Sequence, residues 1–198
     1  MSSETRNVPN EPVAVTLKVV DALETLGVAY FIGGSLAGAV HGAIRASIDS
    51  DIIADLHATD VEPLVQMLGG EFYVDTGAIH DAIRHYSCFN LIHLPTMFKV
   101  DIFVLSKRAF DRSELDRRIR HVLASDPERS ASIASAEDII VAKLDWHRKS
   151  GGQSERQWHD VLGILRAQTG TLDLAYMRHW AAELGLADLL EKALVEAE

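Results

Sequence analysis

Cysteine is nearly absent: Cys88 is the only one in 198 residues, which excludes an intrachain disulfide and a cysteine metal site. Positive charge is scarce as well. Nineteen Lys and Arg stand against 29 Asp and Glu, a formal net charge of −10. That balance argues against broad, sequence-independent nucleic-acid binding, which rests on cations contacting phosphates. Long apolar runs are missing, so no segment reads as a membrane span. The opening Met1-Ser2-Ser3-Glu4-Thr5-Arg6-Asn7 lacks the apolar core of a signal peptide. There is no internal repeat or low-complexity tract. The expectation is a cytoplasmic protein with no membrane partner. Hydrophobic residues at 47% and charged residues at 24% are the ordinary mix of a soluble globular chain. The length suits one domain, or one domain with an appended helical part.

What is present is organised around one stretch. Tyr30-Phe31-Ile32 is an apolar strand that runs into Gly33-Gly34-Ser35, and Arg45-Ala46-Ser47-Ile48-Asp49-Ser50-Asp51 follows about a dozen residues later. Paired glycines let a backbone turn sharply and approach a ligand closely. A helix after such a turn offers N–H groups and a dipole end that favour phosphate. Asp49 and Asp51 sit two apart, so on a strand they face the same side. Neighbouring carboxylates repel unless a cation or a proton joins them, and hard divalent ions prefer such oxygens. Each piece also has a plainer account: a common turn, a good N-cap serine and a solvated strand end.

Apolar spacing places the other elements. Val13, Leu17, Val20, Leu23 and Leu26 predict a helix ended by Gly27, followed by a strand over 28–32 and a helix over 35–41. A strand over 51–56 and a helix over 61–68 come next, then a short strand at 71–74 and a helix at 78–85. Strands at 87–94 and 98–105 make a hairpin around Pro95-Thr96. Cations crowd the next helix, from Arg108 to Arg118, at Lys107, Arg108, Arg112, Arg117, Arg118 and, just past it, Arg120. Interleaved with Asp111, Glu114 and Asp116, they read as a solvated charged face. Short strands near 119–123 and 132–134 flank an Asp126-Pro127 turn, and a soft boundary near residue 130 opens a helical part. His41 reads as structural.

Two further residues stand out. Asp101 lies inside the apolar strand Phe98–Leu105, where a carboxylate is costly unless paired or bound to a metal; alternatively it faces solvent on an edge strand, with Lys99 on its face. Ser135-Ala136-Glu137-Asp138 starts a helix as a capping box, on which Ala136, Ile139, Ile140, Lys143 and His147 share one stripe. Lys143 thus lies mid-stripe and either snorkels out or reaches a buried anion. The next helix begins at Ser154 and buries Trp158, Val161, Leu162 and Leu165, with Arg156 and Asp160 beside that stripe. Two short helices, over 172–184 and 186–195, end the chain.

In order and spacing, Gly33-Gly34-Ser35 with Arg45-Ala46-Ser47-Ile48-Asp49-Ser50-Asp51 resembles the signature of the nucleotidyltransferase superfamily that includes DNA polymerase β. Ser135–Leu144 with Arg156–Asp160 resembles the helical part of its AbiEii-type branch, on a less specific motif. Ser50 departs from the apolar residue usual between the aspartates, though its side chain should point away from them. The resemblance implies an α/β (α+β) fold, a mixed twisted sheet flanked by helices, with a catalytic domain at 1–130 and a helical region at 131–198. It implies Mg2+ (or Mn2+) on Asp49, Asp51 and Asp101. Gly33, Gly34, Ser35, Arg45, Ser47 and Asp160 are implied nucleotide-binding residues, and Lys143 an implied catalytic one. The implied chemistry moves a nucleoside monophosphate from a nucleoside triphosphate to an acceptor hydroxyl. RNA (tRNA above all), a protein and a small molecule are all open as acceptor. So are a silent nucleotide sensor and one half of a toxin–antitoxin pair with a cognate partner.

Overall fold

The computed structural model describes residues 11–43, 49–152 and 154–198. Helix α1 (Glu11–Thr25) leads through Gly27 to β1 (Tyr30–Ile32), α2 (Gly34–Val40) and β2 (Asp49–Ala54). A 3-10 turn at Ala58–Asp60 opens α3 (Val61–Leu68), followed by β3 (Phe72–Tyr73) and α4 (Thr76–His85). Strands β4 (Cys88–His93) and β5 (Lys99–Val104) form the expected hairpin, and α5 (Ala109–Arg117), β6 (Ile119–Ser125) and β7 (Glu128–Ile133) follow. Four helices end the chain: α6 (Ala136–Lys149), α7 (Glu155–Ala167), α8 (Leu174–Glu183) and α9 (Ala187–Ala197).

The fold is a mixed α/β one, as expected. Seven strands make a single sheet in the order β3-β4-β5-β2-β1-β7-β6. The β2–β5 and β1–β7 pairs are parallel, and the β3–β4 and β4–β5 pairs are antiparallel. Strand β2 begins two residues earlier than its apolar run, because Asp49 and Ser50 pair with Lys99 and Val100. Among the described residues, packing separates two units. The first takes residues from 1–31, 48–105 and 120–132; the second takes residues from 32–47, 106–119 and 133–198.

In the first unit, α1 packs on β2, α4 packs on β4 and β5, and α3 packs between those two helices; Val19, Leu23, Leu64, Ile79, Ile52, Leu91 and Ile102 are buried in this core. The second unit is built on α6. Ser135 caps that helix by accepting from the Asp138 N–H at 3.2 Å, and Glu137 with Lys149 at opposite ends suits the helix dipole. Its predicted stripe is buried throughout. On α7 the stripe is shifted: Val161, Leu162, Ile164 and Leu165 are buried, Trp158 is half-buried and Arg156 is exposed. Gly42 closes the turn after α2 at φ +117, and a Cβ there would stand 2.2 Å from the Cβ of Ala167.

The charged helix α5 departs from its solvated reading. Asp111 and Glu114 are buried. Arg108 grips Asp111 through two N–H donors and reaches Asp145 at 3.1 Å. Arg117 pairs with Glu137 at 3.3 Å and stacks 3.9 Å over the Tyr176 ring. Burial, then the neighbouring Asp138 and Asp111, holds the Glu114 carboxyl well above its ordinary value of 4.5.

Two outcomes follow from this packing. Gly42→Ala should cost about 3 kcal/mol, from a left-handed backbone and an overpacked contact together; adding Ala167→Gly should recover only the contact part, as read from urea midpoints. Glu114 keeps its proton in the folded chain at pH values where the unfolded chain has lost it. Stability should therefore fall as pH rises above about 4.5. Urea midpoints of Glu114→Gln, which carries no such proton, should show a smaller decline from pH 5 to pH 8.

Candidate active site

Parallel pairing of β2 with β5 sets each residue of one strand beside a partner on the other. Asp49 stands beside Lys99, Asp51 beside Asp101 and Ile53 beside Phe103. The alternation along β2 is regular: Asp49, Asp51 and Ile53 lie on the half-exposed face, while Ser50, Ile52 and Ala54 are buried on the other. Three carboxylates therefore share one face, with the Asp51–Asp101 pair held in adjacent strands about 4.8 Å apart. Ser50 does point to the opposite side, where its hydroxyl is buried without a hydrogen-bond partner.

Two neighbours engage Asp101. The Lys99 ammonium lies 2.7 Å from its Oδ2, and the Asn90 side-chain amide donates to its Oδ1. Hydrogen bonding to Asp101, reinforced by the charges of Asp101 and Asp49, raises the Lys99 pKa despite its partial burial. Part-burial of the Cys88 sulfur, then the charges of Asp101 and Asp51, pushes that thiol up to about 11. The carboxylate charges of this face contribute to both shifts. Among the described residues, no three His, Cys, Asp or Glu side chains close on a metal-sized point. The oxygens of Asp49, Asp51 and Asp101 nevertheless suit a hard divalent cation, and the Lys99 ammonium already supplies one positive charge there.

In the second unit, Gly34 takes φ +54 at the start of α2, a conformation that suits glycine. The N-cap position belongs to Gly33, which makes no side-chain cap bond, so Ser35 sits inside the first turn and is buried. His41 is structural: its Nε2 lies 2.8 Å from the Ala134 carbonyl oxygen. Lys143 is buried, with its Nζ 2.7 Å from Asp160 Oδ2 and 3.2 Å from Gln157 Oε1. Asp160 is buried beside it, so the two residues singled out on separate helices form one ion pair. An open groove of about 560 Å³ in this unit runs between His41, Arg117, Ser135, Glu137, Gln168 and Leu172. None of the residues expected to hold nucleotide lines it. Arg45 and Ser47 lie outside the described residues.

Asn90 was not among the expected site residues. Its signal was available: a hairpin centred between Pro95 and Thr96 pairs residues equidistant from that centre, which sets Asn90 opposite Asp101. In the segment Lys107–Arg120, the arginines Arg108, Arg117 and Arg120 are each taken up in ion pairs. Arg120 pairs with Glu24 at 2.5 Å, and the other two are held as described above.

No family model matches the chain, and no curated protein matches it either. Solved structures do match. The antibiotic-resistance factor ANT(2'')-Ia aligns over 96% of this chain and 97% of its own at a TM-score of 0.55, with 15% identity. An antigenic nucleotidyltransferase-like protein from Paracoccidioides brasiliensis aligns over 94% of each chain at 0.55, again with 15% identity. The chain has the nucleotidyltransferase fold. A Thermotoga maritima chain that carries the name nucleotidyltransferase, TM1012, aligns over 79% of this chain and 98% of its own at 0.51, with 16% identity. At such identities the likeness speaks for the nucleotidyltransferase fold, and the chemistry must be argued from side chains. Among the described residues, no helix is long and apolar enough to cross a membrane.

The buried Lys143–Asp160 pair makes its own test. Asp160→Ala leaves an uncompensated ammonium inside the helical unit and should cost about 3–5 kcal/mol. The double change Lys143→Met with Asp160→Leu, which removes both charges, should restore most of that loss in urea unfolding.

Proposed function

We propose that this chain is a metal-dependent nucleotidyltransferase of the EC 2.7.7 type. It moves a nucleoside monophosphate from a nucleoside triphosphate to an acceptor hydroxyl. One observation carries the reading: the parallel register that sets Asp51 beside Asp101, with Asp49 two residues before it on the same face. Mg2+ (or Mn2+) held by Asp49, Asp51 and Asp101 would neutralise the triphosphate and template the in-line displacement. Gly33, Gly34 and Ser35 cradle the phosphates, with Arg45, Ser47 and Asp160 completing the nucleotide contacts. The acceptor hydroxyl attacks the α-phosphorus as its bond to the β-bridging oxygen breaks, and pyrophosphate leaves. Asp101 passes the hydroxyl proton to solvent. Lys143, oriented by Asp160 and Gln157, balances charge developing on the phosphates.

The acceptor we favour is a small molecule. A net charge of −10 and the commitment of Arg108, Arg117 and Arg120 to ion pairs leave little to attract a polyanion. The end-to-end likeness to an antibiotic-resistance factor points the same way. A second reading keeps the AbiEii-type branch, with tRNA or a protein as acceptor and a cognate antitoxin or toxin as partner. The Lys143–Asp160 pair favours it, because it joins the two residues that this resemblance singles out.

The test is label transfer. The protein would be incubated with Mg2+ and each of four α-labelled nucleoside triphosphates in a cell extract, and products separated into RNA, protein and small-molecule fractions. Label should appear in the small-molecule fraction and fall to background in an Asp49→Asn, Asp51→Asn double variant. Label in RNA or protein would select the second reading. Nucleotide binding without transfer by the wild type would leave a silent sensor or a partner-dependent protein.

A further inference from the structure

We infer that Asn90 is a positioning residue: its side-chain amide fixes the plane in which the Asp101 carboxylate meets a divalent ion. The inference rests on the metal-dependent reading above. The antiparallel ladder of β4 and β5 sets Asn90 directly opposite Asp101, and the amide donates to Asp101 Oδ1. Asn90 is exposed, while Phe89 and Leu91 on either side of it are buried. Its side chain therefore points away from the core of the sheet. Asparagine is also among the residues that strands disfavour, and β4 lies inside the sheet, between β3 and β5. Neither packing nor strand propensity accounts for an amide at this position; the bond to Asp101 does.

A second donor reaches the other oxygen, with a different character. The Lys99 ammonium lies 2.7 Å from Asp101 Oδ2. It stands at the end of a flexible four-carbon stem, which supplies charge without fixing an orientation. Asn90 has a short side chain, and the ladder anchors its backbone opposite its partner. Hydrogen bonds weaken steeply when bent, so an amide held this closely restricts rotation of the carboxylate about its Cβ–Cγ bond. Outer-shell donors of this kind orient ligating carboxylates and sustain their affinity for the ion. Of the two donors, Asn90 is the one built to set direction.

The experiment titrates the full chain with Mn2+ alone, read by the relaxation rate of water protons, and records a urea midpoint for each variant. Asn90→Ala and Asn90→Val both remove the amide, the second with a strand-forming side chain that guards against misfolding of the first. Mn2+ should bind both variants about tenfold more weakly than the wild type. In an Asp101→Asn background, where the ligating carboxylate is gone, Asn90→Val should change the affinity no further. A general loosening of the sheet would not reproduce that dependence. Wild-type affinity in both variants, or the same loss without the Asp101 carboxylate, would overturn the inference while leaving metal-dependent transfer standing. No saturable binding by the wild type would overturn it together with the reading beneath it.

Discussion

Like charges on one face of a sheet are the constraint from which the rest of this structure follows. Carboxylates in adjacent strands, separated by roughly 5 Å, repel by on the order of 3 kcal/mol at an effective dielectric of about 20. Asp51 and Asp101 are held in that relation by β2 and β5. The chain does not escape it by slipping register, because a shift of one residue would bring Ser50, Ile52 and Ala54 to the half-exposed side and the aspartates into the core. The apolar face fixes the polar one. Lys99 and Asn90 offset part of the repulsion.

The helical unit solves a related problem by different means. It buries Asp111, Glu114, Asp138, Asp145 and Asp160, and burial is tolerable only where cations or protons accompany the carboxylates. Arg108 serves Asp111 and Asp145, Arg117 stands 3.7 Å from Asp138, and Lys143 serves Asp160. Glu114, with four charged neighbours of which three are acidic, is driven toward its protonated form. Arg108, Arg117 and Lys143, three of the 19 cations, are thus committed to buried carboxylates. The net charge of −10 leaves the chain as a whole repelling polyanions.

Much of this was legible in the sequence because the elements obey local periods. The hairpin about Pro95-Thr96 and the buried stripe of α6 follow from spacing, whereas the mixed sheet was an implication of the family resemblance. Errors arose where pairing or tertiary contact overrides local pattern. Asp49 joins its strand through β5, Ser35 falls inside a helix turn that Gly33 begins, and α5 buries Asp111 and Glu114 from an apparently solvated face. Helical spacing set Lys143 on the buried stripe, but only folding could show that its partner is Asp160. Lys99 was legible as sharing a face with Asp101; its position beside Asp49 required the parallel register.

The order of strands carries one more consequence. Strand β1, with Tyr30, Phe31 and Ile32 all buried, lies between β2 and β7, and its partner Ile133 comes late in the chain. As the polypeptide leaves the ribosome, β1 can gain β2 early, yet its other edge stays bare until residues near 133 have emerged. A bare apolar edge is a template for pairing with another chain. The nascent protein is thus most prone to aggregate during an interval set by translation speed, and the arrival of β7 closes it.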